Sequence, residues 1–296
     1  MDQIKVSAKN LGQTALEDFC PRCYWIRIRQ NFKLPWASFP GIFSSIDSYT
    51  KSCCHQIIDT HANTPTPLPE WMAVMGDVIR YEKVPHWSKN TYHDDKTNIT
   101  MHGAMDDILV RTDGKRIVVD WKTAKKSDTQ DKLRPLYDVQ LNVYSVLAEK
   151  DGKEPVDLYL TYMEPCTEPS MAVNNIDQRG FRLCFNGAVV PVIRDRKVVR
   201  KALNLTREIY EMKSAPFARN GCKDCEQLDV IRGLLVTAPA EEKKFVCEKC
   251  KKPTDKLYGL FVPHLCKECE QAEADSDKRS GNVCGICRQP RSRCCC

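Results

Sequence analysis

The run Ile99–Thr123, ITMHGAMDDILVRTDGKRIVVDWKT, constrains the fold of this chain more than any other stretch. Two β-rich segments flank Thr112-Asp113-Gly114-Lys115, and Asp-Gly between such segments is the chemistry of a tight hairpin turn, which needs a positive φ. Side chains alternate along a strand, so Asp120 and Lys122 share a face while Trp121 points away, and Asp107 is sent to the face opposite Asp106. Asp106 lies eight residues before Gly114 and Asp120 six after it, which brings the two carboxylates within a couple of residues of each other across the pair. Two carboxylates and a lysine crowded on one surface are costly unless a further charge joins them. A hard divalent cation resolves the conflict, because it takes oxygen ligands, polarises a phosphoryl oxygen and lowers the pKa of a bound water. Lys122 could then position that water and balance charge at a reacting phosphorus. For the triplet alone, the plain alternative is a solvent-exposed Asp120–Lys122 ion pair.

Around the hairpin the pattern alternates between helix and sheet. Residues 7–33 read as helical around the Cys20-Pro21-Arg22-Cys23 knuckle, with Ser7 as N-cap and Pro35 as a stop, and a second helix is expected over 44–60. Prolines 65, 67 and 69 mark a loop, and 78–84 reads as a strand. Leu133, Leu136, Val139, Val143, Val146 and Leu147 recur at helical spacing over 131–149. Strand-like runs follow at 156–163, 181–185 and 188–193, then a basic helix over 195–213. These elements imply an α/β core with a mixed central sheet flanked by helices.

Three segments carry a resemblance. Gly103-Ala104-Met105-Asp106, then Val118-Val119-Asp120-Trp121-Lys122-Thr123, then Gln140-Leu141-Asn142-Val143-Tyr144 resemble, in order and spacing, the RecB-type branch of the PD-(D/E)XK nucleases. That branch shows a G-x-x-D strand, a D/E-x-K strand and a Q-x-x-x-Y helix. The resemblance implies the restriction-endonuclease-like fold over 1–230, with Asp106, Asp120 and the Trp121 carbonyl binding Mg2+ or Mn2+ and Lys122 as catalytic lysine. Gln140 and Tyr144, one helical turn apart, would face the active site and the DNA strand. Family members usually add a His or acidic ligand from an early helix, and both Asp47 and His55 are available, Asp47 being the better placed.

The seventeen cysteines sort mostly into C-x-x-C pairs, a spacing that suits metal ions in a reducing compartment better than cross-links. Cys20/Cys23 and Cys222/Cys225 bracket the core, and a shared metal would staple its ends together. Four sulfurs suit Zn2+ or an iron–sulfur cluster. CRISPR-associated spacer-acquisition exonucleases and AddB-type recombination nucleases bracket the same core with cysteines holding a [4Fe-4S] cluster. Their one-plus-three arrangement departs from the two-plus-two pattern here, and the resemblance leans to the cluster over zinc. Residues 239–296 hold Cys247/Cys250 and Cys266/Cys269 at zinc-ribbon spacing, then Cys284/Cys287 and Cys294–Cys296, with few aliphatic residues, so Zn2+ is expected to order this tail. Cys284 and Cys287 could close a second site with two of the three terminal cysteines, and Cys266/Cys269 with Cys284/Cys287 is an alternative pairing. A flexible link is expected from Gln271 to Gly281, and Cys53, Cys54, Cys166 and Cys184 read as buried thiols.

The net charge of +6 is modest, but Arg22, Arg27, Arg29 and Lys33 follow the first cysteine pair and Arg194, Arg196, Lys197, Arg200, Lys201 and Arg207 precede the second, so positive charge would gather as a phosphate backbone needs if the pairs meet; the plain alternative is two solvated helix faces. No apolar run approaches the ~20 residues of a membrane span and the first twenty residues lack a signal core, so an intracellular protein is expected. No phosphate loop is visible, so unwinding would fall to a helicase or another recombination or defence partner. The leading expectation is a DNA exonuclease acting on single strands or ends in repair, recombination or defence. Its rivals are a catalytically silent nucleic-acid-binding adaptor and a sequence-specific endonuclease acting on duplex DNA.

Overall fold

The computed structural model describes residues 2–32, 41–126, 132–168, 170, 176–237, 245–247, 249–254, 265 and 267–280. The chain divides into two compact units, Met1–Gln227 and Leu228–Cys296.

In the first unit, Asp-Gly chemistry sets the centre of the fold. Gly114 takes φ +79°, turning β5 (Asp107–Arg111) back onto β6 (Arg116–Lys122). These strands belong to a five-stranded sheet with β2 (Val78–Glu82), β7 (Pro155–Pro165) and β10 (Phe185–Val192), in the order β10-β7-β6-β5-β2. Only β6 and β7 run parallel within it, joined through α4 (Arg134–Lys150), so the sheet is mixed. A second sheet has the order β1-β4-β3, from β1 (Ile4–Ser7), β3 (Thr91–Asp94) and β4 (Ile99–His102).

Strand alternation divides the core into two apolar layers. Ile108, Val118, Leu158 and Leu160 pack with Leu136, Val139, Val143 and Leu147 of α4, while Leu109, Ile117, Val119 and Trp121 pack with Cys54 and Ile58 of α3 (Gly41–Asn63) and with Met72 and Met75. The α4 side is closed by α1 (Ala8–Gly12), α2 (Pro21–Arg29) and α5 (Arg196–Glu211). Ser7 caps α1 by accepting from the Asn10 amide at 3.2 Å. A Cβ at Gly12 would lie 2.4 Å from the Leu136 carbonyl oxygen, so α1 reaches the start of α4 only because residue 12 has no side chain.

Several local expectations are corrected. Within the expected 7–33 helix, the described residues 7–32 form a strand end, a short helix, a 3-10 turn and α2 rather than one helix. Ile99–His102 is not part of the hairpin but pairs in the other sheet, and 181–193 is divided between β9 (Gly180–Phe181, paired with β8, Ile176–Asp177) and β10. After α6 (Lys223–Thr237), the second unit contains a small hairpin, β11 (Phe245–Val246) with β12 (Pro253–Thr254), and α7 (Lys267–Arg279). The expected link from Gln271 is therefore helical through Arg279, in keeping with the helix-favouring Gln, Ala, Glu and Lys it contains; Gly281 lies outside the described residues. Among the described residues no helix is long and apolar enough to cross a membrane.

Candidate active site

The hairpin register pairs Asp107 with Val119, which places Asp106 opposite Asp120, one step beyond the last laddered pair. Where the ladder stops, the Trp121 amide has no strand partner from β5 and donates instead to Asp106 Oδ2 at 2.9 Å. Asp106 Oδ1 meets Lys51 Nζ at 2.7 Å, and Lys51 stands 3.5 Å from Asp47, one turn earlier on α3. Asp47 thus reaches this group through Lys51.

Asp120 is 1 % exposed. Its Oδ1 accepts from Gln140 Nε2 at 3.1 Å, and its Oδ2 pairs with the Lys122 ammonium but accepts no regular hydrogen bond. Burial pushes the Asp120 carboxyl up to about 7; Lys122 opposes the shift and the neighbouring Asp106 adds to it. Lys122 is pulled down by burial, yet Asp120 and Asp106 carry its pKa above the usual lysine value, so it stays an ammonium, 5.4 Å from the Tyr137 ring centre.

Gln140 and Tyr144 arrive from α4, on the same side of the sheet as Asp120. Gln140 Nε2 also donates to Tyr144 Oη at 2.8 Å, while Gln140 Oε1 is buried without a partner. Burial, reinforced by Asp120 and Asp106, raises the Tyr144 phenol well above its ordinary range, so it remains a donor. The ring of Tyr144 occupies the space beside Gly103, where a Cβ would sit 2.5 Å from Cε1. The glycine of G-x-x-D is there to admit that ring.

Asp107 takes the other face. It accepts from Trp121 Nε1 at 2.6 Å and pairs with His55 Nε2 at 2.8 Å, and His55 stacks on Tyr81 with ring centres 3.7 Å apart. His55 is directed to Asp107 rather than to Asp106. Lys51 was not singled out in the sequence; its i, i+4 spacing from both Asp47 and His55 is the signal that places the three on one helix face.

A hard cation fits this donor set. Two carboxylates face each other, a buried Asp120 oxygen lacks a regular hydrogen bond, and the Gln140 oxygen beside it is unpartnered.

A family model described as the PD-(D/E)XK nuclease superfamily matches residues 53–252, more than half of the chain. The chain belongs to the PD-(D/E)XK nuclease superfamily. Membership implies metal-dependent nuclease chemistry and a nucleic-acid substrate. No curated protein matches this nuclease. A solved structure described as "Crystal structure of SSO0001" is similar over 81% of this chain and 88% of its own at 15% identity, with a TM-score of 0.32, too low to inform the reading of the site.

The nuclease also carries a thiol cluster. Cys20, Cys23, Cys222 and Cys225 bring their sulfurs within 4.8 Å of one another, with Cys20–Cys225 at 3.7, Cys23–Cys222 at 3.6 and Cys23–Cys225 at 3.3 Å. Burial raises the Cys20 thiol, but the amides of Cys23 and Arg219 and the nearby thiols outweigh it and bring Cys20 down to about 7. In the second unit Cys247, Cys250 and Cys269 converge likewise; the turn after Cys250 is closed by Lys251 at φ +59°. Cys266, Cys284, Cys287 and Cys294–Cys296 lie outside the described residues. Cys54 is buried, whereas Cys53 is exposed and Cys166 and Cys184 are half-buried, so the expectation of four buried thiols holds for Cys54 alone.

The bracketing pairs meet, but most of the basic residues beside them are engaged within the protein. Arg194 and Arg196 pair with Glu149, Arg200 grips Asp94 through two bonds of 2.8 and 2.6 Å, and Arg207 donates to the carbonyls of Asp2, Thr97 and Asn98. Arg27 faces Asp224 at 3.6 Å, and Arg29 donates to the carbonyls of Tyr210 and Met212. These arginines hold elements together, which corrects the reading of the whole set as a phosphate-facing patch. Lys33 lies outside the described residues.

Proposed function

We propose that this protein is a Mg2+- or Mn2+-dependent deoxyribonuclease of the RecB-type branch, acting as an exonuclease on single strands or ends. The observation that carries the reading is the register that sets Asp106 opposite Asp120, with Lys122 on the same surface and Gln140 and Tyr144 closing over it. Asp106, Asp120 and the Trp121 carbonyl are the assigned cation ligands; Asp47 would join them only if Lys51 moved aside. The cation supplies Lewis-acid polarisation and a more acidic water. Lys122 holds a positive charge where negative charge grows in the transition state, and Asp120 fixes its ammonium. Gln140 orients Asp120, and the Tyr144 hydroxyl, held by Gln140, presents a proton donor to the substrate strand.

The bracketing cysteines are assigned to one metal. A tetrahedral Zn2+ with Zn–S bonds of about 2.3 Å has sulfur–sulfur edges of about 3.8 Å. Three separations of 3.3 to 3.7 Å, with all four sulfurs within 4.8 Å of one another, favour Zn2+ over a [4Fe-4S] cluster, which must place its irons between the thiolates. The second unit is assigned as a zinc-ribbon-like tail on Cys247, Cys250 and Cys269, with Cys266 as the fourth ligand by spacing.

Anaerobically purified protein is to be incubated with end-labelled single- and double-stranded DNA in Mg2+, Mn2+ or EDTA, beside an Asp120→Ala control. Cation-dependent degradation lost in the variant supports the reading and reports strand preference. Absence of cleavage by folded, metal-loaded protein would favour the adaptor.

A further inference from the structure

Lys51 holds the best-placed cation that the reaction scheme above leaves without a role. Asp47, Lys51 and His55 follow one another at i, i+4 along α3, and the last two divide a pair of adjacent carboxylates between them: Lys51 takes Asp106 and His55 takes Asp107. Asp106 has both oxygens engaged, Oδ2 by the Trp121 amide and Oδ1 by the Lys51 ammonium at 2.7 Å. A cation ligated by Oδ1 therefore meets an ammonium already in place there. As an ammonium Lys51 has no lone pair to offer and cannot itself serve as a ligand.

Charge balance gives the exchange a direction. With Asp106, Asp120 and Asp47 ionised, three negative charges face the two positive ones of Lys51 and Lys122, a formal balance of minus one. A divalent ion alone would reverse that sign and leave an uncompensated positive charge in a largely buried site, where charge is costly. The negative phosphate of a nucleic acid offsets part of that cost. Asp47, 3.5 Å from Lys51, offers the displaced ammonium a second partner without a change of helix position.

We propose that Lys51 competes with the divalent cation for Asp106 and, once displaced, pairs with Asp47 and the substrate phosphate, so that cation and nucleic acid bind as a coupled pair. The inference rests on the nuclease reading above. Lys51 lies just outside the segment matched by the family model, which begins at residue 53.

The test is Mn2+ titration, by calorimetry and by the signal of free Mn2+ in electron spin resonance, on zinc-loaded full-length protein with and without a cleavage-resistant phosphorothioate oligonucleotide. Lys51→Met is expected to bind Mn2+ about tenfold tighter than wild type without nucleic acid, since even water-like screening makes a unit charge beside a divalent ion worth that much. The oligonucleotide should tighten Mn2+ binding strongly in wild type and much less in Lys51→Met. Lys51→Arg, which keeps the charge, should behave as wild type. Lys51→Gln serves if the methionine variant does not fold. Unchanged or weaker Mn2+ binding in a folded neutral variant overturns the proposal. Mn2+ binding indifferent to Asp106→Asn and Asp120→Asn in every protein would instead overturn the nuclease reading beneath it.

Discussion

Asp120 and Asp107 are buried carboxylates on one hairpin, 1 % and 3 % exposed, and burial pushes the pKa of both upward, yet they are partnered in opposite ways. Asp107 has each oxygen in a short bond, to Trp121 Nε1 and to His55 Nε2. Asp120 has one oxygen on a side-chain amide and the other on an ammonium, with no regular hydrogen bond there and a second carboxylate alongside. The difference separates a carboxylate that holds the fold from one kept ready for a ligand. A saturated group has nothing left to offer a substrate, whereas an undersatisfied buried charge is retained at a cost in stability.

The comparison can be broken most easily at its charged extremes. Lys122→Ala is expected to lower turnover by at least about 10²–10³-fold while leaving the melting temperature and DNA binding close to wild type. Retained cleavage of end-labelled DNA would remove the functional half of the contrast. Gly103→Ala should act on the same side by a mechanical route. Its Cβ must displace the Tyr144 ring and with it the Gln140–Asp120 bond, so activity should fall about tenfold or more at an overpacking cost of about 1–3 kcal/mol by denaturant melts. On the other face, Asp107→Ala should cost about 1–3 kcal/mol of stability, because it strands the Trp121 indole N–H, with only a secondary loss of turnover. Equal loss of activity in Asp107→Ala and Asp120→Ala, with no loss of stability in the former, would mean that both faces serve catalysis.

The smallest effect sharpens the comparison through pH. Asp120 is about 7 in the fold, against an ordinary value near 3.8, so the native state holds a proton that the unfolded chain releases. Its contribution is greatest below about pH 4 and is lost as pH rises through about 7. Asp120→Asn should remove that part of the slope in melts between pH 5 and 8, and a slope unchanged by the substitution would contradict the assignment.

Much of this contrast was legible in the sequence because it follows from local rules. The Asp-Gly turn fixed the hairpin, strand alternation sent Asp106 and Asp107 to opposite faces, and i, i+4 spacing aimed Gln140 and Tyr144 together. What was hidden depends on non-local contacts. Ile99–Arg111 reads as one strand, yet it breaks at Gly103, whose amide donates to the Asn90 carbonyl at 3.3 Å and whose carbonyl accepts from the Asn90 side-chain amide at 2.9 Å. Lys51 could be placed only once α3 was known to lie along the hairpin. The arginines of 194–207 were visible as charge, but Glu149 and Asp94 lie too far off in sequence to announce themselves as their partners.

The thiol cluster joins Cys20 to Cys225 across 205 positions, so a metal held there turns the first unit from a line into a ring. Closing a loop of that length removes about 5 kcal/mol of unfolded-state entropy by the polymer estimate. A ring also survives a break. A protease cut in the Thr64–Pro69 loop would leave two fragments still tethered at the thiolates, travelling together under native conditions and parting only when a chelator and denaturant open the clasp.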